Sequence, residues 1–227
     1  MKLLLFAVIT MVMSGCCGPV WQLSDWQDLE NAKQYDEIEV EAIDSECIAQ
    51  DGKMNEACPK LFAIHARACL ILARAETSET AACPPYTESA RKRMDCAAAD
   101  YAKARSGNFS NDQLIEFSEH QARALYCGAN FRTRPEGVPL ARKAVVELSG
   151  LPPNPRRDHL AASAELFLAG TDQLSAADRC QSAKKALQFT SRGLADGSAS
   201  VAVTDGLRGA QAAANRIIDQ INSCRRD

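Results

Sequence analysis

Ten cysteines and three histidines are the side chains of this chain best suited to covalent or metal chemistry. Eight of the cysteines are spread through its body: Cys47, Cys58, Cys69, Cys83, Cys96, Cys127, Cys180 and Cys224. Cys16 and Cys17 stand together near the start. A structural zinc site draws thiolates from close C-x₂₋₄-C pairs. The body cysteines are ten or more residues apart, so the spacing predicts disulfides and no metal centre. Cys17 is left over and is read as unpaired. His65, His120 and His159 show no ligand pattern. Glu116 and His120 lie four apart and share a helix face. That spacing suits an acid–base pair or a metal seed, and equally an ordinary surface pair. His65 lies beside an apolar stripe and reads as a boundary residue. His159 follows Arg156-Arg157-Asp158 at a helix start and reads as solvated.

Catalytic signatures are missing. The sequence holds no G-x-S-x-G elbow, H-E-x-x-H helix, P-loop or dinucleotide fingerprint. Carboxylates are plentiful, but no two can be singled out as a glycosidase pair. The reading is a protein that is not an enzyme, with no catalytic residue and no cofactor.

The elements that carry these residues are helical. Apolar periodicity and turn residues predict helices over 25–50, 56–75, 87–105, 111–131, 138–148, 156–168, 176–194 and 205–224. Ser24 with Gln27 has the pattern of a capping box, and Leu29, Ala32, Ile43 and Cys47 offer the first helix a buried stripe. Strand signals are scarce, and Val201-Ala202-Val203 is too short to count. The fold class is all-α, one domain over 24–225 built of antiparallel hairpins. Gly150-Leu151-Pro152-Pro153-Asn154-Pro155 breaks the pattern most clearly, as a sub-boundary or as a tight turn.

Hairpin geometry constrains the cysteines further. Eight cysteines permit about a hundred pairings. In a helical hairpin, residues equidistant from the turn face each other. Cys180 and Cys224 are centred near residue 202, Cys47 and Cys58 on Asp51-Gly52, and Cys69 and Cys96 near Ala82. Those three pairs are favoured in that order. Cys83 with Cys127 remains by elimination. Cys96 with Cys127 also fits a hairpin, so the middle pairs stay open.

Charge excludes one partner class. The net charge is −3 and the pI near 5.7, with no basic footprint for nucleic acid. Aromatics make up 6%, too few for a base-stacking platform. The first helix is strongly acidic, with Asp25, Asp28, Glu30, Asp36, Glu37, Glu39, Glu41, Asp44 and Glu46. It reads as a solvated face, or as a surface for a basic partner or one held off anionic lipid. Arg91-Lys92-Arg93 and Arg132-Thr133-Arg134 read as exposed helix-end charges, or as contacts for an acidic partner.

The N-terminus supplies the address. Met1-Lys2 opens with one positive charge, residues 3–12 are almost wholly apolar, and Met13-Ser14-Gly15-Cys16 follows. The apolar run is shorter than the roughly 20 residues a spanning helix needs; it has the form of a secretory signal. The last four residues resemble the lipobox of bacterial lipoproteins, with Met13 where that family usually has leucine. The resemblance implies a signal over 1–15, lipid on Cys16 and a tether over 16–23. Cys17 stands where aspartate would follow the lipidated cysteine; by analogy with enterobacterial sorting this implies the outer membrane, facing the periplasm. A cysteine-rich body suits that oxidising compartment.

In the body, Leu160, Ala164, Phe167, Ala176 and Ala183 resemble the core positions of tetratricopeptide repeats. Ser163 and Cys180 depart from that pattern. Helix pairs starting near Glu56, Asn111 and Arg156 recur at about 45–55 residues, against roughly 34 in that family. An irregular bundle gives the same pattern. What the resemblance implies is a groove for a peptide or partner protein. The expected function is a lipid-anchored module that binds another envelope protein within an envelope or secretion assembly. An exported protein neutralising a specific effector is the alternative, and a cell-wall hydrolase comes third.

Overall fold

The computed structural model describes residues 18–47, 55–75, 82–221 and 224. Among them the secondary structure is helical throughout, with no strand. The N-terminal segment is α1 (Pro19–Asn31), α2 (Tyr35–Val40) and a 3₁₀ turn (Ser45–Cys47). The body is α3 (Cys58–Arg74), α4 (Glu88–Ala104), α5 (Asn111–Asn130), α6 (Arg134–Ser149), α7 (Pro155–Ala169), α8 (Ala176–Ala195) and α9 (Val201–Gln220).

The single helix expected over 25–50 is a correction. Lys33 takes a left-handed conformation, φ 59°, which ends α1 and turns the chain back on itself. Ser24 caps nothing: α1 begins earlier, at Pro19, where a missing N–H costs little. The returning strip is held by polar bonds to α1. The Trp26 indole N–H donates to Glu41 Oε2 at 2.7 Å, and Gln22 donates to the Ala42 carbonyl at 2.7 Å. Gln22 also accepts from the Asp44 N–H at 2.8 Å. Trp26 and Ile38 are the buried anchors. Ala32, placed in the expected stripe, is exposed.

The body helices start where side chains can accept orphan N–H groups. Thr87 accepts from Ala90 at the head of α4, Asn154 from Arg156 at α7, Ser175 from Asp178 at α8 and Ser200 from Val203 at α9. Ser110 and Gln113 form a reciprocal capping box at α5. The Ser200 cap starts α9 at Val201, one turn earlier than expected, and leaves Cys224 beyond the helix end. Helix α6 also starts early, at Arg134, because a proline in the first turn is tolerated there. Gly137 permits this: a Cβ at that point would lie 2.6 Å from both the Ala129 carbonyl and the Phe167 ring.

Each body helix packs on its neighbours in sequence, and α7 also meets α9. The result is a series of hairpins, α3/α4, α5/α6 and α7/α8, closed by α9. One apolar cluster fills the N-terminal end, with Trp26, Leu61, Phe62, Met94, Tyr101 and Phe117. A second joins Leu125 of α5, Leu148 of α6 and Leu160 of α7. That cluster draws residues from both sides of the Gly150–Pro155 breaker, which joins α6 to α7. Of the tetratricopeptide-like positions, Leu160, Ala164, Phe167 and Ala183 are buried and Ala176 is exposed.

Candidate functional site

Cys16 and Cys17, with the whole signal-like segment, lie outside the described residues. The other eight cysteines form four disulfides: Cys47–Cys58, Cys69–Cys96, Cys83–Cys127 and Cys180–Cys224. Cys180–Cys224 ties a point four residues past the end of α9 to the first turns of α8. Cys47–Cys58 ties the N-terminal segment to the head of α3. Cys69–Cys96 crosses the α3/α4 hairpin, and Cys83–Cys127 pins the approach to α4 onto α5. The exchanged pairing of Cys96 with Cys127 does not occur.

One disulfide has company. His65 and Cys69 are one turn apart on α3, and Cys96 and Asp100 are one turn apart on α4. Residues four apart share a helix face, and the antiparallel hairpin turns these two faces together. His65 Nδ1 lies 2.7 Å from Asp100 Oδ2 and 3.5 Å from Cys96 Sγ. Asp100 Oδ2 is 3.8 Å from the same sulfur. The other Asp100 oxygen meets the Lys103 ammonium at 3.3 Å. Trp26, delivered by α1, stacks on the His65 ring with centroids 5.6 Å apart. Cys69 is buried at 1% exposure, whereas Cys96 is half-buried. The ligand atoms of His65, Cys69 and Cys96 lie within 4.8 Å of one another, the donor types a soft metal takes. Here the two sulfurs are bonded to each other, so the set offers no thiolate.

Sequence reading placed His65 at a boundary and missed this grouping. Its trace is H-x₃-C on one helix and C-x₃-D on the next. Each pattern alone is weak. It gains meaning from the register of the two helices.

The remaining candidates divide. His120 lies 3.9 Å from Glu116, as the spacing suggested, but its closer partner is the Tyr101 hydroxyl at 3.2 Å. Burial pushes the Tyr101 phenol above its ordinary range and His120 below its own. His159 is a correction: it is half-buried against Gly206 of α9, and burial lowers its pKa. The basic clusters are exposed at Lys92 and Arg134, as read, but Arg91, Arg93 and Arg132 are half-buried. Arg91 pairs with Glu88, Arg93 makes a two-pronged contact with Glu39, Arg132 donates from Nη2 to both Asp95 oxygens, and Arg134 covers the Phe167 ring. The acidic segment is partly committed as well: Glu30 pairs with Arg67, Glu39 with Arg93, and Glu41 takes Trp26.

Two buried carboxylates besides Asp100, Asp158 and Glu165, lie between packed helices rather than in an open cleft. Asp158 is held by Arg192, and Glu165 faces Lys185 at 3.8 Å. An open depression between α1 and the head of α3 is lined by Val20, Leu23, Glu46 and Lys60 among others. None of its lining side chains is a buried, unpartnered polar group.

No protein-family model matches this chain, and neither a curated protein nor a solved structure matches it significantly.

Proposed function

We propose that this chain is an exported, lipid-anchored module of the cell envelope that binds another envelope protein. The observation that carries this reading is the set of four disulfides distributed along the helical body. Such bonds persist in oxidising compartments, which the signal-like start would reach. The lipobox-like Met13-Ser14-Gly15-Cys16 supplies the anchor, and Cys17 in place of aspartate favours the outer membrane. Val20 and Trp21, at 63% and 62% exposure, lie within the expected 16–23 tether, where the chain is already helical from Pro19. An exposed tryptophan there suits the headgroup region beside a lipid anchor. A braced helical array keeps its outer faces in fixed relation without a moving part, as a docking surface requires.

Cys16→Ser tests the anchor. The variant is expected in the soluble fraction of the periplasm, while the unaltered chain stays with membranes; unchanged partition removes the lipoprotein reading. Crosslinking the tagged chain in intact cells tests the partner, and one stoichiometric envelope protein is the expected product. A second reading, capture of a basic effector, draws on Asp25, Asp28, Asp36 and Glu37, which remain exposed on α1 and α2. It predicts affinity that collapses in high salt, because exposed charges are screened.

A further inference from the structure

We propose that the Cys69–Cys96 bridge is a working disulfide that oxidises dithiols at Cys96, with His65 moving the proton and Asp100 positioning His65. A bridge that only braces a fold needs no acid–base group beside it. This one has an imidazole nitrogen 3.5 Å from one sulfur and a carboxylate 2.7 Å from that nitrogen. Its sulfurs are also unequal. Cys96 is half-buried, while Cys69 is sealed in the core. That asymmetry selects Cys96 as the sulfur attacked, because the incoming thiolate must reach one sulfur in line while the other departs.

The other bridges differ. Cys47–Cys58 and Cys180–Cys224 are buried at both ends. Cys83 is half-buried, like Cys96, but the neighbour of its bridge is the Ala82 carbonyl at 3.5 Å from Cys127 Sγ. The remaining histidines are occupied elsewhere, His120 by Tyr101 and His159 against Gly206. The groups facing His65 come from three helices: Asp100 and Cys96 from α4, Cys69 from its own α3, and Trp26 from α1. Lys103 holds the outer oxygen of Asp100, leaving Oδ2 for the imidazole.

The chemistry balances as a two-electron transfer. One thiolate of a substrate dithiol attacks Cys96 Sγ and forms a mixed disulfide. The Cys69–Cys96 bond breaks, and Cys69 Sγ leaves with the electron pair and takes the proton that the first substrate thiol released. The second substrate thiolate then attacks the substrate sulfur of the mixed disulfide. Cys96 Sγ leaves with its electron pair; the His65 Nδ1 proton, which rests against Asp100 Oδ2, turns to that sulfur as its charge develops, and the second substrate proton replaces it at Nδ1. The substrate ends as a disulfide and the bridge as two thiols. The chemical class of substrate is an accessible dithiol, such as paired cysteines in an extended peptide. The inference does not depend on the lipid anchor.

The test uses the full oxidised chain exposed to limiting dithiothreitol, quenched by alkylation at intervals and mapped by peptide mass. Cys69 and Cys96 are expected to label at least tenfold sooner than the other six, with helical circular dichroism unchanged. His65→Gln is expected to slow that opening tenfold or more, in line with loss of a general acid. Asp100→Asn is expected to displace the pH profile of the opening rate while helix content holds. Cys69→Ala gives a check that needs neither variant: Cys96, left single, captures glutathione disulfide as a mixed disulfide. Opening of all four bridges together, opening only with loss of helix, an unchanged rate in His65→Gln, or no capture by Cys96 each overturns the proposal.

Discussion

Glu165 shows how a single side chain sets a pH dependence. It is 1% exposed on α7 and faces Lys185 at 3.8 Å. Among the described residues its Oε2 has no hydrogen-bond partner. Burial raises its pKa, against the weaker lowering by Ser182 and Lys185. A raised carboxyl holds its proton in the folded chain over a range where the unfolded chain has lost it. Its stabilising contribution is therefore greatest below the unfolded value of about 4.3 and is lost as pH rises through the folded value. Glu165→Gln is expected to raise stability at pH 7 by about 1 kcal/mol and to give little at pH 4. Urea unfolding at the two pH values measures this, and an equal effect at both would sink it. His120 and His159 run the other way. Burial lowers both, so their contribution is present above about 6.5 and falls away as acid charges them.

At the scale of the element, the N-terminal segment depends on one anchor. Trp26 is fully buried, bonded to Glu41 and stacked on His65. The ion pairs Glu30–Arg67 and Glu39–Arg93 fasten the same segment at its edges. These pairs are about one-quarter exposed, so solvent screens them and the indole carries most of the energy. Trp26→Ala is expected to cost about 3–5 kcal/mol and to free α1 and α2 before the body unfolds. Limited proteolysis checks this by early cleavage between residues 18 and 47, with the body intact; uniform resistance would refute it. The same segment shows where sequence patterns stop. A run of acids over 25–50 suits one exposed helix. The chain instead reverses at Lys33, because burying Trp26 and Ile38 together is worth more than the strained residue costs.

Across the whole molecule, the disulfides differ in how much chain they restrain. Cys180–Cys224 spans 44 residues and Cys47–Cys58 spans 11. Closing a longer loop removes more entropy from the unfolded state. Replacing Cys180 and Cys224 by serine is therefore expected to destabilise by about 1 kcal/mol more than replacing Cys47 and Cys58. Paired denaturation curves decide it, and a larger loss from the short loop would contradict the loop-entropy account. The long bridge also closes the far end of the array, where α9 ends at Gln220 and the Cys180, Ile221 and Cys224 cluster is small.

Local signals in the sequence determined most of the architecture. Apolar periodicity placed the body helices, and the structure finds Thr87, Ser110 with Gln113, and Ser175 capping three of them, whereas the capping pattern singled out in the sequence, Ser24 with Gln27, falls inside α1. Hairpin symmetry placed Cys180 opposite Cys224 because antiparallel helices joined by a short turn have one register. The grouping of His65, Cys69, Cys96 and Asp100 with Trp26 was decided by the tertiary structure. It needs two helix faces rotated toward each other and a third helix folded back over them. Rotation about a helix axis is set by packing of the whole apolar face, and no spacing along the chain records it. The same holds for Arg93 and Arg132, which look like free surface charge in sequence and find Glu39 and Asp95 once distant segments meet.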